Sequence, residues 1–226
     1  MISSLSEAFV RATQPHAAWG WEQLEAFTAF MPTGPWTAQL DRCAYQQGGV
    51  ELRISVLGTF DASDNSWLWG WANPGFSELP AVGAAEAVRR FGQTHGIREF
   101  TDEPVSLSGF ADPRMAVEQL AFGAMGVLGA AGYWAVEAAP GTGLYLVPDD
   151  PQVPRVGPDP VTLPRVLLTG AGLTGGPARP VVAGYFAHHG LPQREAGDTI
   201  TAEFPGGTVV DVAFDDAGRI ASVKAG

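Results

Sequence analysis

Residues 50–74 read VELRISVLGTFDASDNSWLWGWANP, and their alternation decides the fold class. Val50, Leu52, Ile54, Val56 and Phe60 fall on one side of an extended chain, with Glu51, Arg53, Ser55 and Thr59 on the other. A period of two is that of a half-buried β-strand, because successive side chains point to opposite faces. Asp61–Asn65 supply turn residues, and Trp67–Asn73 returns as a partner strand. Upstream, Trp36, Ala38, Leu40 and Ala44 share one face of a strand over 36–45, and Gln46-Gln47-Gly48-Gly49 turns into Val50. Loops this short join antiparallel neighbours, so these strands form a meander.

Helical signals flank it. Ser4-Leu5-Ser6-Glu7 has the Ser-x-x-Glu form of a capping box and opens a short helix. Trp21, Leu24 and Phe27 lie near helical spacing in 17–30, and Pro32 and Gly34-Pro35 stop that helix. A third helix fits 81–95, ended by Gly96. Asp112-Pro113, a capping acid before a proline at the first helical position, starts another that runs to about residue 130. Tyr133–Ala138 and Leu144–Val147 pair as a hairpin around Pro140-Gly141-Thr142-Gly143. Six prolines between Pro148 and Pro164 mark a linker. Beyond it the pattern predicts a strand over 165–169, a helix over 178–189, and strands over 199–204, 207–214 and 219–224. The expected fold is α+β: an antiparallel meander packed with helices over 1–148, a proline-rich linker over 149–164, and a small α+β domain over 165–226.

Composition narrows the function. The chain has 226 residues, 46% of them hydrophobic, enough to bury a sizeable core. Asp and Glu number 24 against 13 Lys and Arg, a formal charge of −11, which repels a phosphate backbone and an anionic membrane surface. Cys43 is the only cysteine, which excludes an intrachain disulfide and a zinc cluster built on cysteines of one chain. Lys224 is the only lysine, so Schiff-base and pyridoxal chemistry have no amine to use, and there is no Gly-Lys-Ser/Thr for a phosphate-binding loop. The first fifteen residues contain Glu7 and Arg11 and no apolar core of a signal peptide, so a cytoplasmic location is expected. The uncharged stretch Gln119–Val136 divides into helix plus strand, interrupted by Gly123, Gly126, Gly129 and Gly132, and is read as buried rather than membrane-spanning.

Several features bear on chemistry. Gly170-Ala171-Gly172-Leu173-Thr174-Gly175 matches G-x-G-x-x-G between an expected strand and an expected helix, the setting of a dinucleotide site. Pro177 and Pro180 count against it, since a proline there removes helical amides that would bind pyrophosphate. His188-His189 precede Gly190 and fit a helix C-terminus, and His16 and His95 have no clustered partner in the sequence. Glu99, Asp102 and Glu103 read as solvated loop acids. Neither G-x-S-x-G nor H-E-x-x-H occurs.

Trp67, Trp69 and Trp71 stand apart, three indoles on one face of a strand with Leu68, Gly70 and Ala72 on the other. They are either core or an aromatic wall for a ligand or partner, with Arg53 and Asn73 at its rim. Register separates the two. A five-residue turn after Phe60 places the indoles on the polar face with Arg53 and Glu51, and a turn of four or six residues places them with Val56 and Leu52.

The W-x-W-x-W-x-N-P strand, with the strand end of Val56–Phe60 before it, resembles an uncharacterised bacterial domain family common in actinobacteria, over about residues 15–148. That family has no assigned reaction, so the resemblance implies a domain extent, with the C-terminal unit outside it. The expected function is a non-enzymatic binding module for a protein partner or a small molecule, acting through Trp67, Trp69, Trp71, Asn73 and Arg53. No cofactor, metal, nucleic acid or membrane is implied, and the oligomeric state is left open. The competing reading is an enzyme, nucleotide-dependent through Gly170–Gly175 or hydrolytic through a site assembled in space.

Overall fold

In the computed structural model, which describes residues 4–226, the strands β1 (Trp36–Gln39), β2 (Ala44–Gln47), β3 (Val50–Asp61), β4 (Ser66–Trp69) and β5 (Val105–Ser106) follow one another across a sheet. The hairpin of β6 (Trp134–Ala139) and β7 (Thr142–Pro148) completes it, with β7 along the edge of β3 opposite β4. Leu52, Ile54 and Val56 of β3 are buried, as their alternation requires. A bulge between Val56 and Gly58 lets Leu57 turn inward as well. The expected strand over 36–45 is split. A 3-10 turn at Leu40–Arg42 and a left-handed Cys43 (φ 53°) fold it into β1 and β2, which pair with each other through Ala38 and Tyr45.

The helices on this chain are α1 (Glu7–Thr13), α2 (Ala17–Phe30), α3 (Gly83–His95), α4 (Pro113–Leu128), α5 (Leu163–Thr174) and α6 (Arg179–His188). Asp112 caps α4 as expected, its Oδ1 accepting the Met115 amide at 3.0 Å. Leu120, Ala121 and Ala124 of α4 are buried, and the chain after it becomes β6. No helix among the described residues is long and apolar enough to cross a membrane.

Residues 165–169 are not a strand. They belong to α5, where Leu163, Val166, Leu167 and Gly170 are buried at helical spacing and Pro164 sits in the first turn, where a missing amide does no harm. The last sheet has the order β11-β10-β9-β8, from β8 (Gln193–Ala196), β9 (Thr199–Glu203), β10 (Val209–Phe214) and β11 (Ile220–Ala225). The sequence pattern misses β8 because all four of its residues are exposed and carry no alternation. All strand pairs in both sheets are antiparallel, and the fold is α+β.

The described residues divide into two compact units. Those up to Val10 group with Ala26–Pro154, and Arg11–Glu25 group with Arg155–Gly226.

Candidate functional site

The loop between β3 and β4 decides where the tryptophans go. Asp61 pairs with Ser66, Phe60 with Trp67 and Gly58 with Trp69, so 62–65 is the four-residue connection. That register puts the indoles on the face of Phe60, and the bulge between Val56 and Gly58 places Phe60 and Gly58 with Tyr145 on the side of the sheet opposite Val56. Trp67 and Trp69 are fully buried and Trp71 is 8% exposed. Trp67 meets Trp69 and Tyr145 edge-on, both at 5.1 Å between centroids. Gly58 makes the room, since a Cβ there would lie 2.7 Å from the Trp67 ring. The Trp69 ring nitrogen donates to the Glu99 carbonyl at 2.9 Å. Trp71 is not on the strand, because a 3-10 turn at Gly70–Ala72 follows β4, and the Arg89 guanidinium covers its ring at 4.0 Å. The expectation of an indole wall over a groove is therefore corrected: the bulge in β3 reverses the alternation the sequence predicts, and the side on which the indoles fall is covered by Tyr145, Phe100 and Arg89.

Asn73 shapes the next loop, its Oδ1 accepting the Gly75 amide at 2.9 Å and its Nδ2 donating to Thr59 Oγ1 at 3.3 Å. Arg53 is elsewhere, on the polar face of β3. It lines a cleft of about 570 Å³ with Arg42, Cys43, Glu51, Asp150 and Gln152. Arg53 is held in place there: its Nε donates to the Asp149 carbonyl at 2.7 Å and lies 3.0 Å from Asp149 Oδ2. The loop after β7 closes the edge of β3 with side chains instead of a strand. Asp150 Oδ2 accepts the Arg53 amide at 2.9 Å, and Gln152 Nε2 donates to the Glu51 carbonyl at 2.9 Å. A second cleft of about 210 Å³, lined by Thr37, Gln39 and Gln46, shares Arg42, Ala44 and Glu51 with the first. Arg42 is exposed and makes no ion pair, hydrogen bond or ring contact with the described residues, and the left-handed Cys43 that follows it turns the chain at the cleft.

Glu99 is not a solvated loop acid. It is fully buried and its carboxylate accepts from both the amide and the hydroxyl of Ser6, the latter at 2.8 Å, so it secures the start of α1. Glu118 of α4 accepts the hydroxyls of Tyr133 at 2.8 Å and Tyr145 at 2.7 Å, and burial together with that carboxylate holds both phenols above their ordinary range. No group of three or more metal-binding side chains among the described residues is placed to hold an ion.

The glycine run is helical. Gly170–Thr174 form the second half of α5, and a Cβ on Gly170 would lie 2.5 Å from Ala18 Cα. The amides a pyrophosphate needs point along the helix as its own hydrogen bonds, so the nucleotide reading of Gly170–Gly175 is withdrawn.

His16, without a partner in the sequence, has one in the fold. His16 Nδ1 and His188 Nε2 are 2.7 Å apart, and His188 stacks parallel on Trp19 at 4.1 Å. His189 Nε2 is 3.9 Å from Glu22 Oε2, which also accepts the Tyr185 hydroxyl at 3.1 Å. Burial, and then His188, hold both His16 and His189 down at about 4. Burial lowers His188 and raises Glu22. A separation of 172 residues between His16 and His188 leaves no local pattern to read.

No curated protein and no solved structure matches the chain. A family model does, across the meander, the Trp-bearing strand, the β6–β7 hairpin and the loop of Asp149 and Asp150. Over residues 10–151 the chain matches DUF6882, a family of unknown function, and it belongs to that family.

Proposed function

We propose that this protein is a non-enzymatic binding module and that the cleft over β2 and β3 is where it engages a partner. The observation that carries this is Arg42, a guanidinium without an ion pair among the described residues that opens onto a cleft beside the Asp149-paired Arg53. In a chain of formal charge −11, a cationic side chain left unpaired next to a second arginine favours an anionic group on the ligand. Glu51 and Asp150 on the same walls favour N–H donors. Two contiguous lobes suit an extended occupant. A peptide segment with a carboxylate meets all three conditions. The left-handed Cys43 adds support, since backbone outliers of this kind concentrate at functional sites.

The test is an amide-shift titration of the full chain with short peptides that end in a free carboxylate. Shifts should centre on residues 42–53 and 149–152. Arg42→Ala should weaken binding about tenfold or more, the loss of one charge-assisted hydrogen bond. Shifts confined to other strands, or an equal response in Arg42→Ala, would refute the assignment.

A further inference from the structure

The 3-10 turn Gln14–His16 lies on α6 with no room between them. A Cβ on Gly184 would overlap the Pro15 carbonyl, and Gln14, itself buried, donates to the carbonyls of Gly175 at 3.2 Å and Pro177 at 2.8 Å. The His16–His188 contact sits within this junction, inside one unit of the chain.

The bond between these rings limits the protons they can hold. At 2.7 Å one bridging nitrogen must carry hydrogen and the other must offer its lone pair. Adding one proton to the outer nitrogen of the donor ring leaves the bridge intact. His188 suits that charge, because it lies parallel on Trp19 and an imidazolium is attracted to an indole face. A second proton has nowhere to go except the accepting nitrogen. Two N–H groups then face each other on two cations, and the bridge becomes a repulsion.

We propose that the His16–His188 pair is an acid-operated latch that accepts one proton and, on taking a second, releases the Gln14–His16 turn from α6. The surrounding charges do not rescue the doubly charged pair. From α2, Glu22 is engaged by Tyr185 and faces His189, and burial raises its own proton affinity so that its charge fades in acid. Arg165 of α5, Glu25 of α2 and Asp159 act on Glu22 rather than on the pair. His189 stands next to His188 and loses by the same acidification, because burial and then the neighbouring His188 disfavour its proton. The direction follows from linkage. The unfolded chain takes up these protons near the ordinary 6.5, whereas folded His16 and His189 resist to about 4, so stability of this unit is full above 6.5 and falls as the pH drops toward 4.

The experiment is an NMR titration of the full chain from about pH 8 to about pH 4, following the imidazole signals and amide exchange together. One ring of the pair should charge while amides of 181–189 stay protected. Protection factors there should then fall about tenfold per pH unit as the second ring charges, while those of Ile54–Phe60 hold. His16→Gln keeps a hydrogen-bonding side chain that cannot titrate, and it should move the opening to lower pH. Two rings that titrate independently with protection unchanged would overturn the latch. So would an opening with the same midpoint in His16→Gln, or simultaneous loss of protection at Ile54–Phe60. If His16→Gln fails to fold, the order of ring charging and amide exposure in the unmodified chain decides alone.

Discussion

Trp69 shows how one side chain can carry several elements at once. Its ring is fully buried, it packs edge-on to Phe100 at 5.7 Å, and its nitrogen occupies the Glu99 carbonyl. Glu99 in turn holds the start of α1 through Ser6. Trp69→Ala should therefore destabilise by about 3–5 kcal/mol, through the lost ring and an orphaned carbonyl. In a chain of this size that is a fall of roughly six to twenty degrees in melting temperature. An unchanged melting curve would show that the ring is not core. The apolar character of this residue is plain in the sequence, but its face is not. Four and five turn residues of the Asp61–Asn65 type read alike, and a slip of one residue moves all the side chains of β4 to the other face. Glu99 and His16 were equally unreadable, since their partners lie far along the chain.

At the scale of the element, α5 and β3 make a contrast. The alternation along β3 holds through Leu52, Ile54 and Val56, where inward positions meet apolar neighbours, and the bulge before Gly58 then reverses its phase. Residues 165–169 carry the branched and apolar residues of a strand, and only the spacing of Leu163, Val166, Leu167 and Gly170 betrays a helix. The glycines of that helix have opposite roles. At Gly170 a Cβ would strike the Ala18 backbone, at 2.5 Å from Cα and 2.6 Å from the nitrogen, whereas at Gly172 it would meet nothing within 4 Å. Gly172→Ala should stabilise by up to about 1 kcal/mol through helix propensity alone. Gly170→Ala gains the same propensity but forces α5 away from α2, and overpacking of about 1–3 kcal/mol should leave it less stable than the parent. Denaturant midpoints of the two variants should move in opposite directions; a shared direction would contradict this packing.

At the scale of the molecule, the α+β class and the antiparallel meander follow from local patterns, because short turns and a period of two allow little else. The grouping of Arg11–Glu25 with Arg155–Gly226 has no such local signature. It depends on Gln14, Ala18, Trp19 and Glu22 meeting α5, α6 and the turn between them. A fragment of residues 155–226 should accordingly give narrow amide dispersion, and the same fragment with residues 11–25 fused to it by a flexible linker should recover a folded spectrum. A well-dispersed spectrum from the bare fragment would show that the segment is dispensable.

Synthesis on the ribosome imposes a schedule on the same arrangement. At about 5–20 residues per second, His188 leaves the peptidyl-transferase centre roughly ten to thirty seconds after His16, which precedes it by 172 residues. Through that interval Ala17, Ala18 and Trp19, all buried in the finished protein, have been made before the helices they pack against. The nascent chain can complete the strands of the larger sheet in the meantime, since β1 to β7 are all made before Pro154. The histidine-bearing unit must instead fold after the larger one, once residues 155–226 have been made, with an early apolar segment kept from other partners until then.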